Sequence, residues 1–485
     1  MNGMENTGEP ELKKRTRNQA ARDRKKSRRQ QWLNDKKAVD DDQQKLFLEL
    51  QTAIQTEVQQ QVDSSVKHFE DESKRQEQLI RDLRDEILLL QGEIDSSLWD
   101  KLQQFLENYI GIPVHIYPTE IGAHSHYIET LKELEQRRKH PLRSDDPDFP
   151  TAQTTFIHEN GLHLGIEQKI LDVLWEVQIT PWDAFTADER NRIQAALKIM
   201  MDYTRTTPAI TLNSSQNLKN SKQQKSGQGQ NHEDEVDGNA QQFKKHGKMY
   251  AAGWHGTRGE RGIDVARYTV RRQGSASNRT RILGETTEGF AFVGEQYAKR
   301  LSNMFPRQCR VLSDFAVENH IPSFADMEIW LAGGEAQTPF ANSLTITNGD
   351  FANYVHRDRD AIDIAFGMWW TASRENQRRP WTIDEEYDHD CIKGGEFLIA
   401  EYGIAVDFPK TKGLVEIFWR GKKDYHVTMQ SDSPPRLTRF GTSVQITQSA
   451  VRGMRALQRH GLDPARVVGH EDRVNGAGDA ISDSE

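Results

Sequence analysis

Only two cysteines, Cys309 and Cys391, occur in 485 residues. That is too few for a disulfide framework or a multi-cysteine zinc module, so a reducing compartment is expected. Long apolar runs are missing too. The longest purely aliphatic stretch, Ile87-Leu88-Leu89-Leu90, is far short of a membrane span, and no membrane partner is expected. The polar, then basic, N-terminus has no apolar core of a secretory signal. Apolar residues make up 35% of the chain against 28% charged, with a mean hydropathy of -0.80. A chain this long and this polar fits roughly two to four domains, with a large share of solvated helix, linker or tail.

The charge is unevenly spread. The formal net charge is -9, yet residues 12–29 hold ten Lys or Arg against one Asp, so a +9 arm is attached to a -18 remainder. A concentrated basic arm on a net-acidic chain points to a local polyanion contact such as a phosphate backbone. A nuclear-import signal or a solvated charged helix are the competing readings.

Residues 1–11 read as disordered. Across 12–98 there is no Pro and Gly92 is the only Gly, which predicts long helices. Ile80, Leu83, Ile87, Leu90 and Ile94 step by 3, 4, 3, 4, the spacing of a coiled coil, interrupted upstream at Ser73 and Gln76. Residues 99–212 are expected to be mostly helical, with helices at Trp99–Ile110, Gly165–Val177 and Asp188–Tyr203 and a short extended piece at Pro113–Pro118. His124, His126, His158 and His163 read as surface or core histidines, and the second pair, at i, i+5, separates its rings on a helix. Residues 213–242 are almost purely polar and read as a disordered linker.

Beyond the linker, aromatic, β-branched and glycine residues become frequent. Short strands are predicted at Ser343–Thr347, Ile362–Trp370, Glu396–Ala400, Ile404–Phe408, Leu414–Trp419, His426–Met429 and Thr442–Thr447, punctuated by turn formers. A flanking helix is predicted at Glu288–Met304, and residues 451–485 read as a short helix and polar tail. Many short strands at even spacing suggest a sandwich or jelly roll.

The chemistry concentrates at Tyr354-Val355-His356-Arg357-Asp358. In extended chain, residues i and i+2 point to one side, so His356 and Asp358 converge. His426 follows 70 residues later, after the strand candidate Leu414–Trp419. Two histidines and one carboxylate form a facial triad that suits non-haem Fe(II) with open positions. An arginine beyond the distal histidine, Arg439, can hold a carboxylate in a two-pronged grip, the group that 2-oxoglutarate presents. Arg436, nearer His426, competes for that role.

Ser343-Leu-Thr-Ile-Thr-Asn348, His356-Arg-Asp358, Ala365-Phe-Gly-Met-Trp-Trp370, Gly394-Gly-Glu-Phe397, Phe418-Trp-Arg420 and Arg439-Phe-Gly-Thr-Ser-Val-Gln445 together resemble the fungal Tet-like 2-oxoglutarate/Fe(II) oxygenases, over about residues 245–450. The resemblance implies a double-stranded β-helix with Fe(II) on His356, Asp358 and His426. Arg439 or Arg436 would bind 2-oxoglutarate, with a hydroxyl contact from Ser443, and Asp360 would accept a hydrogen bond from the substrate base or act as a surface or supporting carboxylate. It also implies hydroxylation of 5-methylcytosine in DNA, with the base turned out of the stack, O2 consumed and 2-oxoglutarate decarboxylated to succinate. The expected architecture is α+β: an oxygenase jelly roll with flanking helices at 243–450, preceded by a long N-terminal helix or coiled coil and a helical middle region.

Ala21-Arg-Asp-Arg-Lys-Lys-Ser-Arg28 resembles the end of a basic leucine-zipper contact helix. Arg22, Arg24, Lys25, Lys26 and Arg28 are then DNA-backbone contacts, with a homodimer through the coiled coil and a nuclear location. Lys14 stands where that class has its base-reading asparagine, and Trp32 and Ala53 occupy zipper positions, so phosphate contact survives better than base reading. Three functions fit these residues: a 5-methylcytosine oxygenase, an oxygenase of RNA or N6-methyladenine, and a zipper-type transcription regulator with an inactive barrel.

Overall fold

The computed structural model describes residues 96–168, 172–207, 209, 246–259, 262–268, 276–325, 340–459, 467 and 468. The basic arm, the heptad segment up to residue 95, the 213–242 linker and the polar tail beyond 468 lie outside the described residues. All of the described residues belong to one compact unit, spanning 90–485.

Strand β12 (Leu414–Trp419) shows how the layers arise. All six residues are buried, as expected for a strand covered on both faces. Val415, Ile417 and Trp419 point into a core shared with the facing sheet, while Leu414 and Phe418 point to a helix-covered core. Strand β8 (Ala365–Ser373) repeats the alternation, with Ala365 and Trp369 inward and Phe366, Met368 and Trp370 outward. The large sheet runs β1-β3-β4-β12-β8-β15-β7-β5-β6-β16. Here β1 is Val114–Thr119, β3 Gly161–Glu167, β4 Val173–Thr180, β5 His246–Gly259, β6 Gly262–Arg267, β7 Ser343–Ala352, β15 Leu437–Gln445 and β16 Val467–Val468. A four-stranded sheet, β13-β10-β11-β2, faces it; these are His426–Thr428, Phe397–Ile399, Ile404–Val406 and Thr155–Ile157. A two-stranded ribbon joins β9 (Lys393–Gly394) to β14 (Ser431–Asp432). The C-terminal half is thus a largely antiparallel, mixed α+β arrangement consistent with a jelly roll.

Helices close the outer faces. In chain order they are α1 (Ser96–Ile110), α2 (Ser125–Arg138), α3 (Ala187–Thr206), α4 (Ala276–Met304), α5 (Pro306–Glu318) and α6 (Gln448–Arg459). Leu197 and Met200 of α3, Val293, Tyr297 and Leu301 of α4, Leu312 of α5 and Met454 of α6 cover the large sheet. Tyr127, Leu131 and Leu134 of α2 cover the small one, against Leu398, Ala405 and Val427. Helix α3 begins at a capping box in which Thr186 accepts from the Glu189 N–H and the Glu189 carboxylate accepts from Thr186.

Two expectations for residues 99–212 need correction. The region is not mostly helical, and Gly165–Val177 is not a helix but the end of β3 and the start of β4. Ile166, Ile170 and Leu174 imitate a helical stripe at i, i+4. Instead, the alternation of Trp175, Val177 and Ile179 sets the conformation, each burying its side chain against the facing sheet. Gly165 lies opposite Trp175 in the ladder, and a Cβ there would stand 1.9 Å from the indole Nε1. The strands are integral to both sheets: β4 pairs with β12 and β2 with β11, so the unit extends well upstream of residue 243.

Polar groups are buried beneath the helices. Arg300 of α4 grips both carboxylate oxygens of the fully buried Glu416. Glu176 meets the amide of Gln308 at 3.2 Å. Burial pushes its carboxyl up to about 8 from the ordinary 4.5, only partly opposed by Gln308 and Arg307. The folded value lies above the unfolded one. The stability contributed by the protonated form is therefore complete below about pH 4.5 and lost as pH rises towards about 8, at roughly 1.4 kcal/mol per pH unit. Glu176→Gln should flatten this slope. Equilibrium denaturation at about pH 5 and pH 8 should then differ less in the variant than in the parent, and an unchanged difference would show that Glu176 ionises freely in the fold.

Candidate metal centre

Three backbone bonds assemble the site. His356 N–H donates to the His426 carbonyl at 3.1 Å and His426 N–H returns to the His356 carbonyl at 3.0 Å, while Asp358 N–H donates to Gly421 at 2.8 Å. The segment around His356 is thereby stitched to the start of β13 and to the turn after β12. The i, i+2 geometry then puts the His356 and Asp358 side chains together. His356 Nε2 lies 3.3 Å from one Asp358 oxygen and His426 Nε2 lies 3.3 Å from the other. Among the described residues, this is the one group of three or more metal-ligating side chains whose donor atoms all lie within 4.8 Å of each other.

The rings are fixed in the orientation a metal requires. His356 Nδ1 meets the Tyr354 carbonyl at 2.6 Å and His426 Nδ1 the Asp424 carbonyl at 2.9 Å. A carbonyl only accepts, so each Nδ1 carries a proton and each Nε2, aimed at the carboxylate, is the nitrogen left for a metal. Burial alone would raise the Asp358 carboxyl, but the charges of His426 and His356 outweigh it and hold the group below the usual carboxylate range. Burial would lower His426, and Asp358 beside it lifts it instead. With a metal in place of the Nε2 protons, two imidazole nitrogens and one carboxylate on one face fit a divalent iron with open positions.

Supporting contacts surround the triad. Asp424, whose carbonyl holds His426, is gripped by Arg420 through Nε at 3.0 Å and Nη2 at 2.8 Å. Glu135 of α2 accepts the Val355 N–H on both oxygens, at 3.1 and 3.3 Å, next to His356. Gly421 is a close fit, since a Cβ there would stand 2.6 Å from Asp358 Oδ2. Trp419 and Phe397 lie against His426, with centroids 5.7 and 5.9 Å away.

The aromatic floor continues through Trp369 and Phe408 to Arg439, whose guanidinium sits 4.8 Å over the Phe408 ring. Arg439 is 8% exposed. Its Nε meets His389 Nδ1 at 3.1 Å, Nη1 the Gly394 carbonyl at 2.8 Å, and Nη2 the carbonyls of His389 and Ile392 at 3.3 and 3.4 Å. Among the described residues it forms no ion pair. Burial lowers it to about 10, against the pull of Glu396 and more distant carboxylates. Four of the five guanidinium N–H groups are thus committed and one, on Nη1, is left. Here Arg439 has one N–H left for a carboxylate, where the sequence led to the expectation of a two-pronged grip. A buried arginine with one uncommitted donor and no carboxylate partner fits the distal end of a dicarboxylate.

The other sequence candidates fall elsewhere. Arg436 is exposed in the turn before β15, with φ at 88°, and its carbonyl accepts from the Arg374 N–H. Ser443 lies on the Arg439 face of β15, but its hydroxyl bonds the Gln445 side chain. Asp360 is buried and its backbone bridges Thr447; it is not one of the three converging groups. Arg22, Arg24, Lys25, Lys26 and Arg28 lie outside the described residues. His163 is a satisfied core histidine, bonded to the Tyr117 hydroxyl and the Glu159 carbonyl. Sequence reasoning missed His389, Glu135 and the grip of Arg420 on Asp424. Only Arg420 stood in a motif already singled out.

A family model described as the Tet-like 2OG-Fe(II) oxygenase superfamily matches residues 215–431. That span, a little under half the chain, contains the triad and ends before Arg439. A solved structure, NgTET1 in complex with 5mC DNA, is 9% identical, covers 70% of this chain and 99% of its own, and superposes with a TM-score of 0.28. At that score the likeness carries no argument about this chain. No curated protein matches the sequence.

Proposed function

We propose, from the match of residues 215–431 to the model of the Tet-like 2OG-Fe(II) oxygenase superfamily, a family that takes Fe(II) and 2-oxoglutarate, that the chain oxidises the methyl group of 5-methylcytosine in DNA. The observation that carries the reading is the convergence of His356 Nε2, His426 Nε2 and Asp358. Fe(II) held by these three, with 2-oxoglutarate and O2, would supply the oxidation of an otherwise inert C–H bond.

The chain's own groups have separable tasks. The Tyr354 and Asp424 carbonyls hold the Nδ1 sides of the rings, so that both Nε2 atoms turn to the metal position. Arg420 and Glu135 hold the backbone on which those histidines ride. Arg439 receives the distal carboxylate of 2-oxoglutarate, and the Phe397, Trp369, Phe408 and Trp419 rings that run from His426 to Arg439 exclude water beside them. A methylated base would reach iron held by this triad by leaving the duplex stack. The basic arm with Arg22, Arg24, Lys25, Lys26 and Arg28 would hold the DNA backbone in the nucleus, and the heptad-spaced sequence after it would pair two copies of the chain.

The test is turnover on defined oligonucleotides. Full-length protein with Fe(II) and 2-oxoglutarate should convert 5-methylcytosine in duplex DNA to 5-hydroxymethylcytosine with matching succinate, read by mass spectrometry. Asp358→Ala should lower this by about a hundredfold or more, because removing a ligand exceeds the effect of losing a supporting contact. Oxidised N6-methyladenine or RNA in place of 5-methylcytosine would overturn the substrate and leave the oxygenase. Equal product from parent and Asp358→Ala would overturn both.

A further inference from the structure

Arg439 can serve a ligand only if its one uncommitted N–H points to a fixed place, and one buried side chain fixes it. His389 lies in the short turn His389–Cys391, fully buried. Its ring stacks on Phe408, with centroids 5.4 Å apart and an interplanar angle of 20°. The same Phe408 ring underlies the guanidinium, so histidine and arginine share one floor. Asp388 locks the turn, accepting from the His389 N–H at 2.7 Å and from the Gly413 N–H at 2.8 Å. Burial, and then the Arg439 charge, push the His389 ring well below its ordinary value. The ring is therefore neutral and offers Nδ1 as an acceptor.

That acceptor takes the guanidinium Nε–H, the N–H that sets the rotation of the whole fork. With Nε on His389 and Nη2 on two carbonyls, the fork cannot turn without breaking several buried bonds. The uncommitted donor is then the second N–H of Nη1. It lies beside Gly395, where φ is +81° and a Cβ would stand 2.5 Å from Nη1 and 2.7 Å from the Ser431 Cβ. Only a residue without a side chain leaves that approach to Nη1 bare.

We infer that His389 is a positioning residue for the co-substrate: its imidazole orients Arg439 so that Nη1 receives the distal carboxylate of 2-oxoglutarate end-on. The inference rests on the proposed oxygenase function. His389 itself touches no substrate.

The test separates the acceptor from mere packing. Asparagine places its Oδ1 near the position of Nδ1, whereas glutamine places its polar end near Nε2. In the full-length chain loaded with Mn(II), calorimetric titration with 2-oxoglutarate should show H389Q weakened by about 10- to 100-fold, the range for losing a hydrogen bond to a charged group. H389N should stay within a few-fold of the parent. Titration with 2-oxobutyrate, which keeps the keto acid but lacks the distal carboxylate, should be unchanged in both. His389→Phe, which keeps the stack on Phe408 and removes the acceptor, gives the same reading should H389Q not fold. Parental 2-oxoglutarate affinity in both H389Q and His389→Phe overturns the role of His389, as does equal weakening for both keto acids. A parent that takes up Mn(II) but no 2-oxoglutarate overturns the oxygenase reading itself, and His389 with it.

Discussion

A chain beginning at residue 243 should give no cooperative unfolding transition and should elute as aggregate, whereas one beginning at residue 96 should melt cooperatively. The shorter chain keeps the triad, Arg439 and most of the family match, but it loses two sheet edges. Strand β12 would lose its pairing with β4 over Leu414–Phe418, and β11 its pairing with β2, exposing apolar edges that invite association. It also loses Trp175, Val177 and Ile179 from the core between the sheets, Leu197, Met200 and Tyr203 beneath the large sheet, and Tyr127 and Leu131 beneath the small one. At about 1.5–3 kcal/mol for each large apolar side chain buried, these eight alone supply at least ~12 kcal/mol. The net stability of a domain is only about 5–15 kcal/mol. Size-exclusion chromatography and a thermal melt decide the matter, and a 243–485 fragment that melts cooperatively and binds a divalent metal would show that the upstream strands are dispensable.

This dependence was poorly legible in the sequence, while the site was largely legible. His356 and Asp358 could be paired because extended chain has a period of two whatever surrounds it. His426 could be added because Leu414–Trp419 is apolar enough to be a strand buried on both faces. Residues 161–180 were harder, since Ile166, Ile170 and Leu174 satisfy a helical spacing as well as Trp175, Val177 and Ile179 satisfy an alternating one. Tertiary burial against the facing sheet decided between them. Arg439 and Arg436 are three residues apart, too close for motif order to separate. The strand phase separates them, placing Arg439 inward on β15 and Arg436 in a positive-φ turn. His389 had no local signature at all. Its role depends on a contact across 50 residues, made only once β15 and the His389 turn pack on the same Phe408 ring.

Arg439→Met should leave divalent-metal affinity within about threefold and weaken 2-oxoglutarate binding by roughly 30-fold to several thousand-fold. The range follows from about 2–5 kcal/mol for losing one partner of a buried charge pair, at tenfold per 1.4 kcal/mol. The metal is spared because the triad takes its geometry from Tyr354, Asp424 and Gly421, none of which Arg439 touches. The co-substrate is not spared, because the guanidinium is buried without an ion-pair partner among the described residues. A buried cation held only by carbonyls and an imidazole carries an electrostatic cost that an arriving carboxylate relieves. The ligand should therefore raise the thermal midpoint of the metal-loaded parent in proportion to RT ln(1 + [L]/Kd), and fail to do so in Arg439→Met. Arg439→Lys separates charge from geometry: it restores a positive centre but has no planar fork to meet His389, Gly394 and Ile392 at once. Its 2-oxoglutarate affinity should fall between parent and Arg439→Met. Parental affinity in Arg439→Met, measured by calorimetry with Mn(II) bound, would mean that the dicarboxylate is held somewhere else.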